Sequence, residues 1–227
     1  MAPLDCRNLI LDLDGTLVDS APDLTRALNH VLASLDRPAL DPQTVRHMVG
    51  QGAAKLIERG LAHTGGAEGV PAVADLLPGF LDFYGAHIAD GSRPFPGAVD
   101  LLDRARAAGL RLGLCTNKPQ AMTEALMDAL DLSDYFDVMI GGDALSGRKP
   151  DPVHLDTVLA RLGDGPAVLL GDTATDVAAG RASGVPVGVV SFGFSAIPAA
   201  ELGGTFLIDD FADVDRHLAP LARPARV

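Results

Sequence analysis

The sequence predicts an α/β fold, a Rossmann-like open parallel sheet flanked by helices, with an all-helical cap domain inserted after the first strand. Short aliphatic segments recur along the chain, and helical patterns separate the later ones. Roughly 95 residues separate the first segment from the second, where a simple crossover needs only about a dozen. The strand-like segments are NLILD (8–12), LRLGLCT (110–116), FDVMIGG (136–142), AVLLGD (167–172) and VPVGVVS (185–191).

These segments lack a strict alternation of polar and apolar residues, which is typical of strands buried on both faces of a parallel sheet. Apolar residues at helical spacing follow several of them, for example Leu101 and Leu102 before Gly109, and Leu155 to Leu162 before Gly163. Glycine commonly stands where a helix ends. Strands and helices that alternate in this way favour an open sheet with right-handed crossovers.

The long gap after the first strand has a helical pattern of its own. Further amphipathic segments are expected at 42–50, 53–63 and 70–90, and the segment GSRPFPG has the composition of a return linker. We therefore expect a core domain of residues 1–16 and 93–227 and a helical cap domain of residues 17–92. One face of the first cap helix is marked by Leu24, Ala27, Leu28, Val31, Leu32 and Leu35.

Two polar stretches of the cap have simple interpretations. Ser20 and Asp23 match the start of a helix, with Ser20 as N-cap and Asp23 reaching back as in a capping box. The stretch Gly50, Gln51 and Gly52, together with Lys55, is either an ordinary turn or a loop and helix start that meets the distal end of a substrate. Arg46 and His47 carry the same two alternatives.

Composition excludes several classes of function. The net charge is −12, which argues against a nucleic-acid partner because phosphate backbones attract an excess of Lys and Arg. No apolar run approaches the ~20 residues of a membrane span, and the first eight residues do not resemble a secretory signal. Cys6 and Cys115 are expected to be reduced structural thiols. We expect a cytoplasmic protein, monomeric or homodimeric.

Acidic residues follow two of the predicted strands. Asp12 and Asp14 end the first, and Asp172 ends the fourth with Asp176 close behind it. In open α/β sheets ligands bind beyond the carboxyl ends of the strands, so these carboxylates would crowd into one crevice. Like charges there require a cation, and oxygen ligands without His or Cys favour Mg²⁺.

Groups suited to an anion follow the remaining strands. Thr116 and Asn117 end the second strand, where a hydroxyl and free backbone N–H groups can hold phosphate oxygens. Lys149 lies in the loop after the third strand and supplies a compact positive charge. The chain has only three lysines, Lys55, Lys118 and Lys149, and the last two lie at sheet ends, which suggests that an ammonium is needed there.

These residue types predict phosphoryl transfer. Asp12 can attack phosphorus and form an aspartyl phosphate, which divides one difficult step into two easier ones. Asp14 can protonate the leaving oxygen and later deprotonate the attacking water. Mg²⁺, Lys149 and Thr116 would neutralise the charge of the transferring group.

The motifs DLDGT, CTN, RKPDP and GDTATD resemble, in order and spacing, those of the haloacid dehalogenase-like hydrolase superfamily. The resemblance implies that Asp12 is the nucleophile and that Asp14 is the acid/base whose backbone carbonyl also reaches Mg²⁺. It further implies that Thr116 and Lys149 bind phosphate and that Asp172 binds the metal. Asp176 is similar to an acid that supports the metal or orients the lysine, and the helical insert resembles a mobile cap.

Within this superfamily, DLDGTLVDS, MVGQGAAKLIERGL and FDVMIGGD resemble the phosphoglycolate phosphatase group. The resemblance implies a Mg²⁺-dependent phosphatase for a small phosphorylated metabolite, with 2-phosphoglycolate as the best single guess. Two alternatives stay open. One is a sugar-phosphate phosphatase or phosphomutase of the same superfamily, and the other is a non-catalytic binding module that keeps the fold.

Overall fold

The structure is a computed structural model that describes residues 2–222, and its centre is a six-stranded parallel sheet of order β5-β4-β1-β6-β7-β8. All five pairings in this sheet are parallel. In chain order the strands are β1 (Asn8–Leu11), β2 (Val18–Asp19), β3 (Arg93–Pro94), β4 (Arg111–Cys115), β5 (Val138–Ile140), β6 (Ala167–Gly171), β7 (Val187–Val190) and β8 (Phe206–Ile208).

The helices fall into an inserted group and a flanking group. Residues 133–135, 199–201 and 211–216 add short 3₁₀ turns. No helix in the described range 2–222 has both the length and the apolar character that crossing a membrane demands. The helices are α1 (Ala21–Ser34), α2 (Pro42–Arg46), α3 (Ala53–His63), α4 (Val73–Ala86), α5 (Ala98–Ala107), α6 (Gln120–Ala129), α7 (Pro152–Leu162) and α8 (Ala174–Ala182).

The central sheet is buried on both faces, as its sequence pattern predicts. Along β1, Leu9 and Leu11 belong to one apolar core, while Ile10 belongs to a second core on the opposite face. All three side chains have no exposed surface. Since successive side chains of a strand point to opposite faces, a continuous aliphatic run is what a sheet covered by helices on both sides requires.

Helices α1 to α4 form the insertion between β1 and the rest of the sheet, and they have a separate core. Leu28 and Leu32 of α1 meet Ile57 of α3 and Phe80 of α4 in this core. The two connections to the sheet run side by side, because β2 and β3 pair antiparallel. The α/β fold with an all-helical insertion after the first strand is therefore confirmed, while the boundaries at 16/17 and 92/93 stay a prediction.

Three local expectations differ from the structure. Strand β8 was not predicted, because its three residues follow a Gly-Gly turn and carry no periodicity. The helix expected over residues 42–50 is shorter in the structure, where α2 covers only Pro42–Arg46. The capping box is wrong: the Ser20 side chain makes no cap hydrogen bond, and Asp23 instead accepts from the backbone N–H groups of Gly91 and Ser92. Cys6 and Cys115 are free and buried, as expected.

Candidate active site

Three adjacent strands place the candidate residues at one end of the sheet. Strand β1 lies between β4 and β6. Asp12 follows the last residue of β1, Thr116 follows β4 and Asp172 follows β6. Because parallel strands end at the same edge, residues that are distant in sequence meet beside the strand at which the strand order reverses, where ligands of such sheets bind.

A buried carboxylate cluster lies at this edge. Asp12, Asp172 and Asp176 each offer an oxygen, and these oxygens lie within 4.8 Å of one another. Lys149 joins two of the three, since its Nζ donates to Asp12 Oδ1 at 2.7 Å and to Asp176 Oδ1 at 2.6 Å. All four side chains are nearly inaccessible to solvent.

Burial and mutual repulsion set the charges of the cluster. Burial raises the pKa of Asp12 to about 7, although the Lys149 ammonium opposes the effect. Burial and the neighbouring Asp176 raise the pKa of Asp172 well above its ordinary value. Burial alone would lower the pKa of Lys149, yet Asp12 and Asp176 outweigh it and raise that pKa. Three carboxylates around one ammonium leave a negative excess that a divalent cation with oxygen ligands fits.

The local structure fixes the orientation of Asp172. Thr16 Oγ1 donates to its Oδ1 at 3.2 Å, and the Phe194 N–H donates to its Oδ2 at 2.7 Å. Asp176 lies in the first turn of α8, where its Oδ2 accepts from the Thr173 N–H and hydroxyl. Both carboxylates are thus oriented by protein donors.

The Asp14 carboxylate lies outside the cluster. Ser20 Oγ donates to its Oδ1 at 2.5 Å, and Lys118 Nζ donates to its two oxygens at 3.0 and 3.2 Å. Lys118 Nζ also donates to the Tyr84 hydroxyl of α4 at 2.7 Å. Asp14 is therefore separated in role from the three clustered acids, and a lysine links it to the helical insertion.

Thr116 and Asn117 lie between the cluster and the insertion. Thr116 is buried, and its Oγ1 accepts from the Lys118 N–H. Asn117 Nδ2 donates to the backbone oxygens of Gly50 and Lys149. Within the described residues the buried Asn117 Oδ1 has no hydrogen-bond partner. The Asn117 amide therefore holds the Gly50 loop against the Lys149 loop.

The structure divides the Gly50–Gly52 stretch. Gly50 and Gly52 line a cavity that also contains Asp12, Asp14 and Thr116. Gln51 lies outside this cavity, in a neighbouring cleft with Arg148 and Lys149. The Gln51 side chain accepts a hydrogen bond from Arg59.

Arg46 and His47 connect the insertion to the core. The Arg46 guanidinium lies 5.0 Å from the centroid of the Phe194 ring and donates to Asp19 at 2.9 Å. His47 Nδ1 lies 3.1 Å from the Phe194 carbonyl oxygen. Both residues thus meet the loop whose N–H contacts Asp172.

Lys118, Tyr84 and Thr16 received no individual role from the sequence, and Ser20 was predicted only as a helix N-cap. The scarcity of lysine was the one signal that pointed to Lys118. Nothing in the sequence pattern joins Tyr84 to Lys118, because the contact between them depends on how α4 packs over the end of the sheet.

The comparison of the sequence with known families agrees with this geometry. The profile described as haloacid dehalogenase-like hydrolase matches residues 9–190, which is most of the chain. The chain belongs to the haloacid dehalogenase-like hydrolase family. The resemblance predicted from the four motifs is confirmed, and a hydrolase with an inserted helical cap is what this family contains.

Comparison with individual members of the family shows which kinds of protein this chain is most similar to among those compared. The chain is 44% identical over 218 residues to a phosphoglycolate phosphatase of Caulobacter vibrioides, with 94% of this chain and 91% of the relative covered. A solved structure from Haemophilus somnus, described as a "predicted phosphoglycolate phosphatase", is similar with a TM-score of 0.84 and 28% identity, covering 92% and 96%.

A second similar solved structure contains a bound ligand. It is a mutant CbbY from Rhodobacter sphaeroides in complex with xylulose-(1,5)bisphosphate. The TM-score is 0.75 and the identity is 27%, with 92% of this chain and 96% of that chain covered.

Proposed function

We propose that this chain, a phosphoric monoester hydrolase of the haloacid dehalogenase-like family, hydrolyses 2-phosphoglycolate to glycolate and phosphate. The proposed reaction depends on Mg²⁺ and passes through an aspartyl phosphate on Asp12. The observation that carries the proposal is the position of Asp12, which lies in the buried acid cluster with Lys149 Nζ 2.7 Å from its Oδ1. The relative from Caulobacter vibrioides supports the choice of substrate.

Asp12 is the proposed nucleophile because it alone of the clustered acids also lines the cavity with Asp14. One of its oxygens would attack phosphorus and form the P–O bond of the aspartyl phosphate, while the bond to the leaving alcohol oxygen breaks. Water would then cleave the acyl phosphate, releasing phosphate and restoring Asp12.

Asp14 is the proposed acid and base. It would protonate the leaving oxygen in the first step and accept a proton from the attacking water in the second. Ser20 and Lys118 hold its carboxylate at the cavity wall.

Lys149, Thr116 and Asn117 would place the phosphate. The Lys149 ammonium and the Thr116 hydroxyl would neutralise and orient the transferring oxygens, while Asn117 holds the Gly50 and Lys149 loops together. Gly50 and Gly52 would contribute the cap side of the cavity. Gln51 is proposed to reach the substrate only from the neighbouring cleft.

Asp12, Asp172 and Asp176 would hold Mg²⁺, with the backbone carbonyl of Asp14 as a further proposed ligand. A bound Mg²⁺ would supply positive charge to the phosphoryl oxygens. Thr16 and the Phe194 N–H keep Asp172 oriented toward the cluster, and Thr173 does the same for Asp176.

A sugar-phosphate phosphatase or phosphomutase is the second candidate. The likeness to CbbY, whose structure contains xylulose-(1,5)bisphosphate, favours it. A mutase would yield an isomer with little free phosphate, which separates it from a phosphatase. A non-catalytic module is disfavoured by the complete set of Asp12, Asp14, Thr116, Lys149 and Asp172 at one end of the sheet.

Phosphate release from a panel of phosphorylated metabolites, with Mg²⁺ and with a chelator, tests the proposal. The wild-type chain should have its highest kcat/KM on 2-phosphoglycolate, and the chelator should abolish turnover. Asp12→Asn should remove phosphate release while the circular-dichroism spectrum stays native. Retained turnover by Asp12→Asn would exclude Asp12 as nucleophile, and a sugar phosphate at the top of the panel would favour the second candidate.

The covalent intermediate has its own test. Asp14→Asn should slow the second step, so that one phosphoryl group per chain accumulates on Asp12 with an aryl phosphate, whose leaving group needs little protonation. Intact-protein mass spectrometry after acid quench measures it, with Asp215→Asn at the distant Arg104 pair as the matched control. A fully active Asp14→Asn variant would contradict the role of Asp14.

We also propose that the chain is a cytoplasmic monomer or homodimer with domains 1–16 plus 93–227 and 17–92. Limited proteolysis should cut first near the β2 and β3 connections, and sedimentation velocity measures the oligomeric state. Initial cleavage inside α1 or α4 would contradict these boundaries.

A further inference from the structure

Lys118 is a buried ammonium in the wall of the candidate active site. It lines the same cavity as Asp12, Asp14 and Thr116. Only 5% of the surface of Lys118 is exposed. Burial alone would lower the pKa of Lys118, but the neighbouring Asp14 and Tyr84 outweigh burial and raise it. Lys118 therefore carries a full positive charge in a site from which most water is excluded.

Apart from the Tyr84 hydroxyl, the side chains on the cap side of the cavity around Lys118 are apolar. Among the described residues that line it, Lys118 is the sole Lys or Arg. Lys149, which is proposed to act on the phosphate, is already bonded to Asp12 and Asp176. If the substrate carries a negative group besides its phosphate, Lys118 is thus the cation in this cavity that can bind that group. The cap contributes Leu24, Val49, Leu56, Phe80 and Leu81 to the wall, and the core adds Met122.

Because Lys118 is close to Asp14, it would lie beside the leaving group of the proposed substrate. Asp14, as the proposed acid, must lie within hydrogen-bond reach of the leaving oxygen, which is about 2.6–3.2 Å. Lys118 Nζ lies 3.0 Å from Asp14 Oδ1. An anionic group one carbon away from the leaving oxygen would therefore lie within reach of Lys118.

Tyr84 supplies a second donor at the same place. Its hydroxyl is buried in the cavity wall and accepts a hydrogen bond from Lys118 Nζ at 2.7 Å. Across the described residues this is the only hydrogen bond of the Tyr84 hydroxyl, so its own proton has no acceptor. A phenolic O–H beside an ammonium forms a paired donor site that suits the two oxygens of a carboxylate.

We propose that Lys118 and Tyr84 bind a carboxylate on the alcohol part of the substrate and so select phosphate esters of small hydroxy acids. This inference rests on the proposed phosphatase function and specifies how its substrate class is recognised. The entering carboxylate competes with Asp14 for Lys118 and accepts from the Tyr84 O–H. Tyr84 is on α4 of the cap, so the same contact joins the cap to the bound substrate.

Two esters that differ only in this carboxylate test the inference. In ethyl phosphate a methyl group replaces the carboxylate of 2-phosphoglycolate. The measured quantity is the ratio of kcat/KM for 2-phosphoglycolate to kcat/KM for ethyl phosphate. A ratio is insensitive to any general loss of active enzyme, so a merely structural role of Lys118 would not change it.

The wild-type ratio should be well above one. In Lys118→Met the ratio should fall on the order of 10- to 100-fold, the range expected for losing hydrogen bonds to a charged group. Tyr84→Phe removes one hydroxyl and should lower the ratio by a few-fold, mainly through a higher KM for 2-phosphoglycolate. Arg216→Met, which removes the exposed cation paired with Asp213 far from the cavity, is the control and should keep the wild-type ratio.

The outcomes separate the two proposals. A wild-type ratio near one would overturn 2-phosphoglycolate as the substrate and this inference with it. A high wild-type ratio that survives in both Lys118→Met and Tyr84→Phe would overturn the inference alone. Tyr84→Phe, which removes one atom from a buried ring, keeps the test valid if Lys118→Met does not fold.

Discussion

Lys149 Nζ lies 2.7 Å from Asp12 Oδ1, in a site where the same ammonium also bonds Asp176 at 2.6 Å. All three groups are buried, so none can exchange its partner for water. A lysine in this position compensates the charge of the acid cluster and, under the proposed function, would also contact the phosphate.

Removing the Lys149 ammonium should therefore affect both activity and stability. We expect Lys149→Met to lower kcat/KM by about 10²- to 10³-fold. Breaking a buried pair costs about 3–5 kcal/mol, which should appear in the free energy of unfolding measured in urea without metal. Lys149→Arg should not restore activity, because the planar guanidinium cannot replace a point charge between two buried carboxylates.

Arg216→Met is the control for this substitution, since the exposed Arg216 side chain and its pair with Asp213 contribute little. Equal losses in Arg216→Met and Lys149→Met would show that the acid cluster does not need the ammonium.

The raised pKa values of Asp12 and Asp172 predict how the stability of the metal-free protein depends on pH. A carboxyl whose pKa is higher in the folded state contributes stability that is fully present below its unfolded pKa of about 3.9 and is lost as pH rises through the folded value. For Asp12 the folded value is about 7. Tm measured with a chelator should thus fall as the pH rises from about 4 to about 7.

Two measurements check the assignment of this pH dependence. Asp12→Asn should flatten the profile, whereas Asp215→Asn at the surface should keep it. Mg²⁺ should raise Tm more at the alkaline end, since the ion competes with protons for the same carboxylates. A profile of Asp12→Asn that is identical to the wild-type profile would contradict the pKa assignment.

The sequence alone was sufficient to predict the site residues that directly follow the ends of strands. Asp12, Thr116 and Asp172 each come directly after an aliphatic run, and parallel packing brings the ends of such runs together whatever lies between them. The pairing of Lys118 with Tyr84 could not be predicted in this way, because Tyr84 comes from the cap and its position depends on how two separate cores pack. The capping box at Ser20 failed for a related reason: Asp14 offers the Ser20 hydroxyl a tertiary acceptor.

The contact of Arg46 and His47 with Phe194 predicts a link between the cap and the proposed metal site. Phe194 receives the Arg46 guanidinium on its ring and His47 on its carbonyl oxygen, while its N–H contacts Asp172. We expect Arg46→Ala to raise the Mg²⁺ concentration for half-maximal activity about two- to five-fold, the effect of losing one cation–π contact. Arg26→Ala, a charge pair within the cap, is the control. An unchanged Mg²⁺ requirement in Arg46→Ala would rule out the link.

Substitutions at Gly15 and Gly109 provide a matched test of how closely the loop between β1 and β2 approaches the proposed metal site. Both have positive φ, +88° and +76°. A Cβ at Gly109 would contact nothing within 4 Å, so Gly109→Ala should cost only the backbone strain of about 1–2 kcal/mol. A Cβ at Gly15 would meet Asp172 Oδ2 and lie 2.8 Å from the Phe194 ring. Gly15→Ala should therefore lose more stability than Gly109→Ala and, in addition, most Mg²⁺-dependent activity, measured by urea unfolding and by Mg²⁺ titration of turnover. Equal activity in the two variants would show that this loop tolerates a side chain beside Asp172.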